Sequence, residues 1–580
     1  MPRQLQEIRG FTGVNLRKDR LLLDDQEMAK AINADFHSQP GTLVLRPGRA
    51  AQYTTALAQP VIRKLARHNG FRYRVAGSTV YRDSTEIMGA TAGNPVNAQR
   101  PVDFEAFRPL NDTTLWTFIA NPNGMFKDNG TVLRKWGIAA PGSAPVVAAG
   151  TGTLTGTYSA RYTYVRKDGV SLAHESNPSP VSASVVLAAQ GLAVTVLASG
   201  DAQVTHIRLY RNVTGGSSYL FDQDVTNTSQ TVTSTQADNA LGAAVETDND
   251  VPPNLSRIAE FQSTIFGVGD LSNPHYLWYS KRFRPESWPT DNFIEIGNPD
   301  DPLQEITPLA GLLGVFSRRT KYRVTGNDTS GFTAFEALSK RGLPGCADAA
   351  VPTEQGVVFV ARDGVYLTNF ISQDQELSEK IAPLFDPVGD DVNGLEPINW
   401  DVIHTSHIAS WKNRVYVALP LGNTTVPTHV AVFSRTTQQW TLYDHAARSL
   451  LVEEDVDQLV AGFTDGIVYI LEMGHTDGTA EIALDAETGD SAGQQPGLRK
   501  LFLWSKVDAE IPTGETLSVD MYADGVLRRT ASVTGNRTKL LLPWPEASMG
   551  YAWRLGFRYT GCGRPKIHGR SCLWEALAAA

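Results

Sequence analysis

The sequence predicts an all-β protein: a β-propeller of about six to eight blades, interrupted by a fibronectin- or immunoglobulin-like β-sandwich and followed by a C-terminal β-sandwich or jelly roll. Three observations predict it. Glycine (50) and proline (32) are abundant while charged residues make up only 19% of the 580, a profile of many short strands joined by turns. A hairpin pattern of two apolar, aromatic-bearing strands around a Gly, Asn or Asp turn recurs seven times. Outside one large gap, the copies are spaced by roughly 40–55 residues, the spacing of propeller blades.

In chain order, residues 1–54 read as an extended N-terminal arm with one short helix. Asp24 or Asp25 would cap a helix carrying Met28, Ala29, Ala31 and Ile32. Residues 55–140 hold the first part of the propeller, with hairpins at Phe71–Arg82 and Leu115–Asp128. Residues 141–255 form the insertion. It opens on PGSAPVVAAGTGTLTG, which is small and linker-like, and continues with the alternating strands TYSARYTYVRKDG and HIRLYRNV. Residues 256–471 resume the propeller, with hairpins at Thr264–Ser280, Leu312–Val324, Gly356–Thr368, Arg414–Ser434 and Leu459–Leu471. Residues 472–580 form the C-terminal sandwich, reached through a polar connector, GHTDGTAEIALDAETGDSAGQQPG. Between Leu277 and Pro289 the sequence LWYSKRFRPESWP restarts the propeller. Pro285 and Pro289 forbid a helix there, and Trp278 or Trp288 is expected to pack between strands.

Composition narrows the function. A net charge of −9 argues against tight general nucleic-acid binding. No apolar run approaches the ~20 residues of a membrane span, and the N-terminus lacks the apolar core of a secretory signal. Cys346, Cys562 and Cys572 make neither a disulfide framework nor a metal-ligand pattern. They read as free thiols of a reducing compartment, with a Cys562–Cys572 pair as the alternative.

Motifs for chemistry are sparse. HExxH, CxxC, Walker A, dinucleotide and EF-hand patterns are missing, as are the S-x-D-x-G-x-x-W boxes of propeller sialidases. Gly489-Asp490-Ser491-Ala492-Gly493 fits G-x-S-x-G, but its flanks are polar and no helix can follow, so it reads as a linker. His404 and His407 lie in VIHTSHIASW, which reads as a strand and places them on opposite faces. Asp390, Asp391, Asn393 and Glu396 form an acidic loop without EF-hand spacing. Lys281, Arg282 and Arg284 form a small basic cluster suited to a phosphate or an acidic partner, or to a solvated turn. Paired carboxylates meeting at a propeller centre remain compatible with the sequence. No residue is assigned as catalytic, cofactor-binding or metal-binding.

Several short segments carry a resemblance. Trp278-Tyr279-Ser280 followed by Pro285-Glu286-Ser287-Trp288-Pro289 is similar to a segment of virion proteins of short-tailed bacteriophages. So are Phe11–Leu16 (FTGVNL), Ala31-Ile32-Asn33, Gly41, Arg46-Pro47-Gly48, and Ala361–Leu367 with Leu377-Ser378 and Ile381. ARYTYVRKDG, HESNPSP and HIRLYRN resemble modules of such proteins. Together they resemble the tail nozzle, or tail tubular protein B, family. The resemblance implies a propeller with appended β-domains and six copies in a ring that closes the short tail. It also implies docking on an adaptor and on tail fibres or spikes. DNA would pass through the lumen without sequence specificity, and neither catalysis, cofactor nor membrane anchor would be needed. Assembly in the host bacterial cytoplasm and residence in the virion tail follow. A receptor- or glycan-binding tail component and a propeller glycosidase are the alternative functions.

Overall fold

A computed structural model describes residues 3–53, 55–345, 348–493, 495–535 and 539–577. Seven four-stranded antiparallel sheets form the blades. Their innermost strands are Ile62–His68, Asp103–Phe107, Arg257–Phe261, Leu303–Leu309, Ala350–Thr353, His407–Trp411 and Ser449–Glu453. Each packs on the next, and the seventh packs back on the first, closing the ring. Each of the seven hairpins read from the sequence is the middle pair of a blade. Many of those strands are covered on both faces by neighbouring blades and are mostly apolar; Gly356–Ala361, for example, is buried throughout. The inner and outer strands are more polar and left little trace in the apolar pattern.

The seventh blade takes its outer strand, Arg49–Ala51, from the N-terminal arm. Closure is reinforced across the join: Arg72 donates from Nε (2.5 Å) and Nη2 (2.7 Å) to Glu453. Taking the outer strand of the last blade from the other end of the chain covers the edge of Val468–Leu471 and ties the ring shut.

The insertion is a seven-stranded sandwich. One sheet orders Val146–Tyr158, Val185–Val196 and Gln230–Ser234. The other orders Ser171–Glu175, Ala160–Asp168, His206–Asn212 and Tyr219–Thr226. Its opening is not a linker. Val146–Tyr158 is a full strand, and its glycines permit close pairing: a Cβ on Gly152 would lie 2.6 Å from Gly191 Cα. Small residues that read as flexible are there for backbone contact.

The expected short helix is absent. Met28–Ile32 is a strand, bridged in parallel to Gln439–Tyr443 of the sixth blade and antiparallel to Ile482–Thr488. Local propensity yields to burial between two sheets. The helices found among the described residues are 3-10 turns: Asp238–Ala240, Glu379–Phe385 and Trp400–Thr405.

Nor is the arm a separate segment. Arg3–Arg9 and Leu43–Leu45 both pair with Lys566–Ala576, so both chain ends are woven into the C-terminal sandwich. The predicted connector holds a strand of that sandwich, Ile482–Thr488, with alternating burial hidden by its polar residues. Through Met28–Ile32, the sixth blade and one sandwich sheet become a single nine-stranded sheet. One apolar core accordingly runs from Val14 and Phe36 through Phe359 and Trp440 to Phe557.

Candidate functional site on the propeller axis

Polar side chains from different blades converge on the axis. Lys64 of the first blade donates to Asp348 beside the fifth (2.9 Å) and pairs with Asp103 of the second (3.0 Å). Arg257 of the third blade lies 2.7 Å from Asp348, 3.4 Å from Glu305 of the fourth and 3.6 Å from Asp103. His407, opening the sixth inner strand, is 3.6 Å from Asp348. The first and fifth blades are not neighbours, so these pairs cross the axis and plug it with charge.

Burial sets the protonation of this plug. Desolvation works against a charged Lys64, but Asp103 and Asp348 outweigh it and raise its pKa. Desolvation likewise opposes ionised Asp348; Arg257 and Lys64 overcome it and hold its carboxyl well below the usual range. For Glu305, burial wins over the attraction of Arg257 and lifts the carboxyl to about 8. Burial pushes His407 down to about 4 against the pull of Asp348, so its imidazole is neutral near pH 7.

A cavity of about 620 Å³ opens above the plug, lined by Arg63, Arg100, Arg257 and Arg448 among others. A second, of about 760 Å³, lies at the other ends of the first and seventh inner strands, bordered by Asp103, Glu453 and Asp455.

The residues singled out in the sequence lie mostly elsewhere. His404 is exposed on the 3-10 helix and His407 is buried on the axis; the chain is helical up to Thr405, so the single strand expected through both is corrected. Ser491 donates to Asp25 Oδ1 (2.8 Å) and accepts from Gln6 Nε2 (2.7 Å), which ties the N-terminal strand to the sandwich. In the acidic loop, Asn393 donates to Ala29 O (2.7 Å) and accepts from Arg20 Nε (2.8 Å). Cys562 is exposed and Cys572 buried, and both are free; Cys346 lies outside the described residues. Among the described residues one acidic-histidine group has metal-like spacing, Asp444, His445 and Asp477. Arg46 already occupies it, bonding both carboxylates at 2.8 Å.

The PESWP turn belongs to a buried joint, and the basic cluster lies on its exposed rim. Lys281 reaches Asp248 (2.6 Å) and Arg284 reaches Glu246 (2.8 Å) on the strap leaving the inserted sandwich. Glu286 is ion-paired to Lys127 of the second blade and to Arg166 of the sandwich, and Arg166 also pairs with Asp112. Lys127 and Arg166 both sit over the Trp116 ring. Trp136 and Trp288 each donate from Nε1 to Pro285 O at 2.7 Å. Trp288 is buried at 2% exposure, as expected of one of the two tryptophans, whereas Trp278 is half-buried beside Phe293. Burial opposes ionisation of Glu286, but Lys127 and Arg166 prevail and bring its carboxyl down to about 2.

Sequence reading missed the axial residues. A signal was present: Lys64, Arg257, Glu305 and His407 each stand seven residues before the start of their blade's middle hairpin, at Phe71, Thr264, Leu312 and Arg414.

No family model matches the chain, and no curated protein matches it. Among similar solved structures is the exo-β-1,3-galactanase of Phanerochaete chrysosporium, at 7% identity over 54% of this chain and 94% of that one, with a TM-score of 0.22. PorZ, a surface component of the type IX secretion system of Porphyromonas gingivalis, is 12% identical over 89% of this chain and 77% of its own, with a TM-score of 0.25. Hsv2 of Kluyveromyces lactis is 9% identical over 64% and 93%, with a TM-score of 0.21. At such scores these likenesses carry no argument about activity.

Proposed function

We propose that the chain is a structural virion protein, a subunit of a six-membered nozzle that closes a short bacteriophage tail and forms the channel for DNA ejection. The observation that carries this reading is the joint at Pro285–Pro289. The stretch with the strongest resemblance to nozzle proteins is the ion-paired junction of propeller and inserted sandwich, which supports a structural role for it. The ion pairs across the propeller axis support it too. With that axis plugged, a conduit would run between copies of the chain, in a closed ring built on one heterologous interface. Under this proposal the ring docks on an adaptor and on tail fibres, and is assembled in the host cytoplasm. Electron microscopy of the purified chain, alone and mixed with its adaptor, should show six-fold rings. A strictly monomeric particle with adaptor present would refute the assignment.

One observation favours a second reading, a propeller glycosidase. Glu305 is kept protonated by burial against the pull of Arg257, while Asp348 is kept ionised, against burial, by Arg257 and Lys64. Such a split suits a general acid and a carboxylate base or nucleophile. Hydrolysis of a glycoside panel, lost in Glu305→Gln, would support it. The ion pairs of Asp348 with Lys64 and Arg257 favour the structural role instead.

A further inference from the structure

The cavity above the axial plug carries positive charge that the protein itself does not neutralise. It is lined by Arg63, Lys64, Arg100, Arg257 and Arg448, and Asp348 is the one carboxylate among its described lining residues. This excess occurs in a chain with more acidic than basic residues, 61 against 52, so composition does not account for it. Lys64 and Arg257 spend their charge on the carboxylates of the plug. Arg63 and Arg448 find only main-chain oxygens. Arg63 donates to Gly77 O (3.0 Å), Arg100 O (2.5 Å) and Asn97 O (2.5 Å), and Arg448 to Thr405 O (3.0 Å). Burial, together with repulsion from Arg448, pulls Arg63 down to about 10. Arg448 is lowered as well, chiefly by burial.

A second, independent feature points the same way. Arg257 is 1% exposed and lines the cavity; its charge is met by Asp348 (2.7 Å), Glu305 (3.4 Å) and Asp103 (3.6 Å), yet none of its three guanidinium nitrogens has an aligned hydrogen-bond acceptor. Buried donors and desolvated cations are costly unless something satisfies them. Guanidinium forks suit tetrahedral oxyanions above other ligands, and about 620 Å³ falls in the range of small-molecule sites.

We propose that this cavity, at the mouth of the propeller axis beside the Ala98–Val102 loop, binds a compact phosphate-bearing anion, with Arg63, Arg100, Arg257 and Arg448 as its donors. The proposal goes beyond the nozzle reading and does not depend on it. Any ligand that binds only the folded state raises the unfolding temperature in a saturable way.

The test follows thermal unfolding of the full chain at constant ionic strength with chloride, inorganic phosphate, pyrophosphate, or a short single-stranded oligodeoxynucleotide. Phosphate and pyrophosphate should stabilise saturably over chloride, with pyrophosphate acting at tenfold or more lower concentration. The response should be lost in Arg448→Gln, weakened in the exposed-site variant Arg100→Gln, and kept in Arg319→Gln, which lies in a neighbouring basin. Should Arg448→Gln fail to fold, Arg100→Gln decides. Equal response to phosphate and chloride would overturn the proposal. So would a phosphate response untouched by both variants, or stabilisation by the oligonucleotide alone.

Discussion

Replacing Glu286 with glutamine tests the joint between propeller and inserted sandwich most directly. The carboxylate is 2% exposed and Lys127 is fully buried at 0%. Glutamine preserves the shape but removes the charge shared by Lys127 and Arg166. Arg166 retains Asp112, whereas Lys127 has no other carboxylate among its ion pairs. Breaking a buried pair from one side costs about 3–5 kcal/mol, because it strands the other charge. Lys127 can shed its proton to limit that loss, so the lower part of the range, about 3 kcal/mol, is expected. Urea unfolding followed by tryptophan fluorescence would read it, since Trp116, Trp136 and Trp288 all lie in this cluster. The test becomes specific in a double-mutant cycle. Lys127→Met in the Glu286→Gln background should restore most of the loss, giving a coupling of at least about 2 kcal/mol. A single-mutant cost below about 1 kcal/mol, or strictly additive losses, would refute the clamp.

Further outcomes are expected. Acid should unfold the protein in two stages. His174 and His407 have folded-state pKa values of about 4 against an ordinary 6.5. Their contribution is complete above pH 6.5 and is lost as pH falls towards 4, at about 2 kcal/mol each by pH 5. Glu286, at about 2 against 4.5, adds stability that is present above pH 4.5 and is lost between 4.5 and 2. Unfolding titrations from pH 7 to 4 would check the first stage, and a flat profile would contradict it. Trp288→Ala should cost about 3–5 kcal/mol, whereas Arg282→Ala, on the exposed part of the same turn, should stay within about 0.5 kcal/mol. Arg46→Met should be milder than Arg46→Ala, since it fills the volume, but both leave Asp444 and Asp477 facing each other. A cost of about 3 kcal/mol or more for Arg46→Ala in urea unfolding is expected, and a neutral result would remove Arg46 as the stitch between arm and blade.

Much of the fold was legible because burial on two faces writes a plain pattern. Middle strands such as Gly356–Ala361 and Leu312–Ser317 are wholly buried and almost wholly apolar, and such strands announced the blades. Inner strands were not legible, because polar residues such as Lys64, Asp103, Arg257 and Glu305, drawn to the axis, interrupt their apolar pattern. Arg63, Lys64 and Arg448 belong to no sequence motif, and only the ring brings them together. The arm misled for a different reason: Met28–Ile32 has helix-forming residues and a capping aspartate nearby, and only its two sheet neighbours, far away in sequence, make it a strand. PESWP drew notice for its prolines and tryptophan, yet the residue that matters most in it is Glu286, whose partners come from residues 127 and 166.

The sequence by itself determined what short-range physics encodes: all-β class, the seven hairpins, the position of the insertion and the breaks at its ends. Turn residues and alternating burial act within a few residues, so they can be read along the chain. The tertiary structure alone decided the number and closure of the blades, the weaving of the two chain ends into one sandwich, and the gathering of charge on the axis. Those features depend on pairing between strands hundreds of residues apart. Likewise, whether a buried arginine is neutralised depends on which carboxylates the fold brings within a few ångströms.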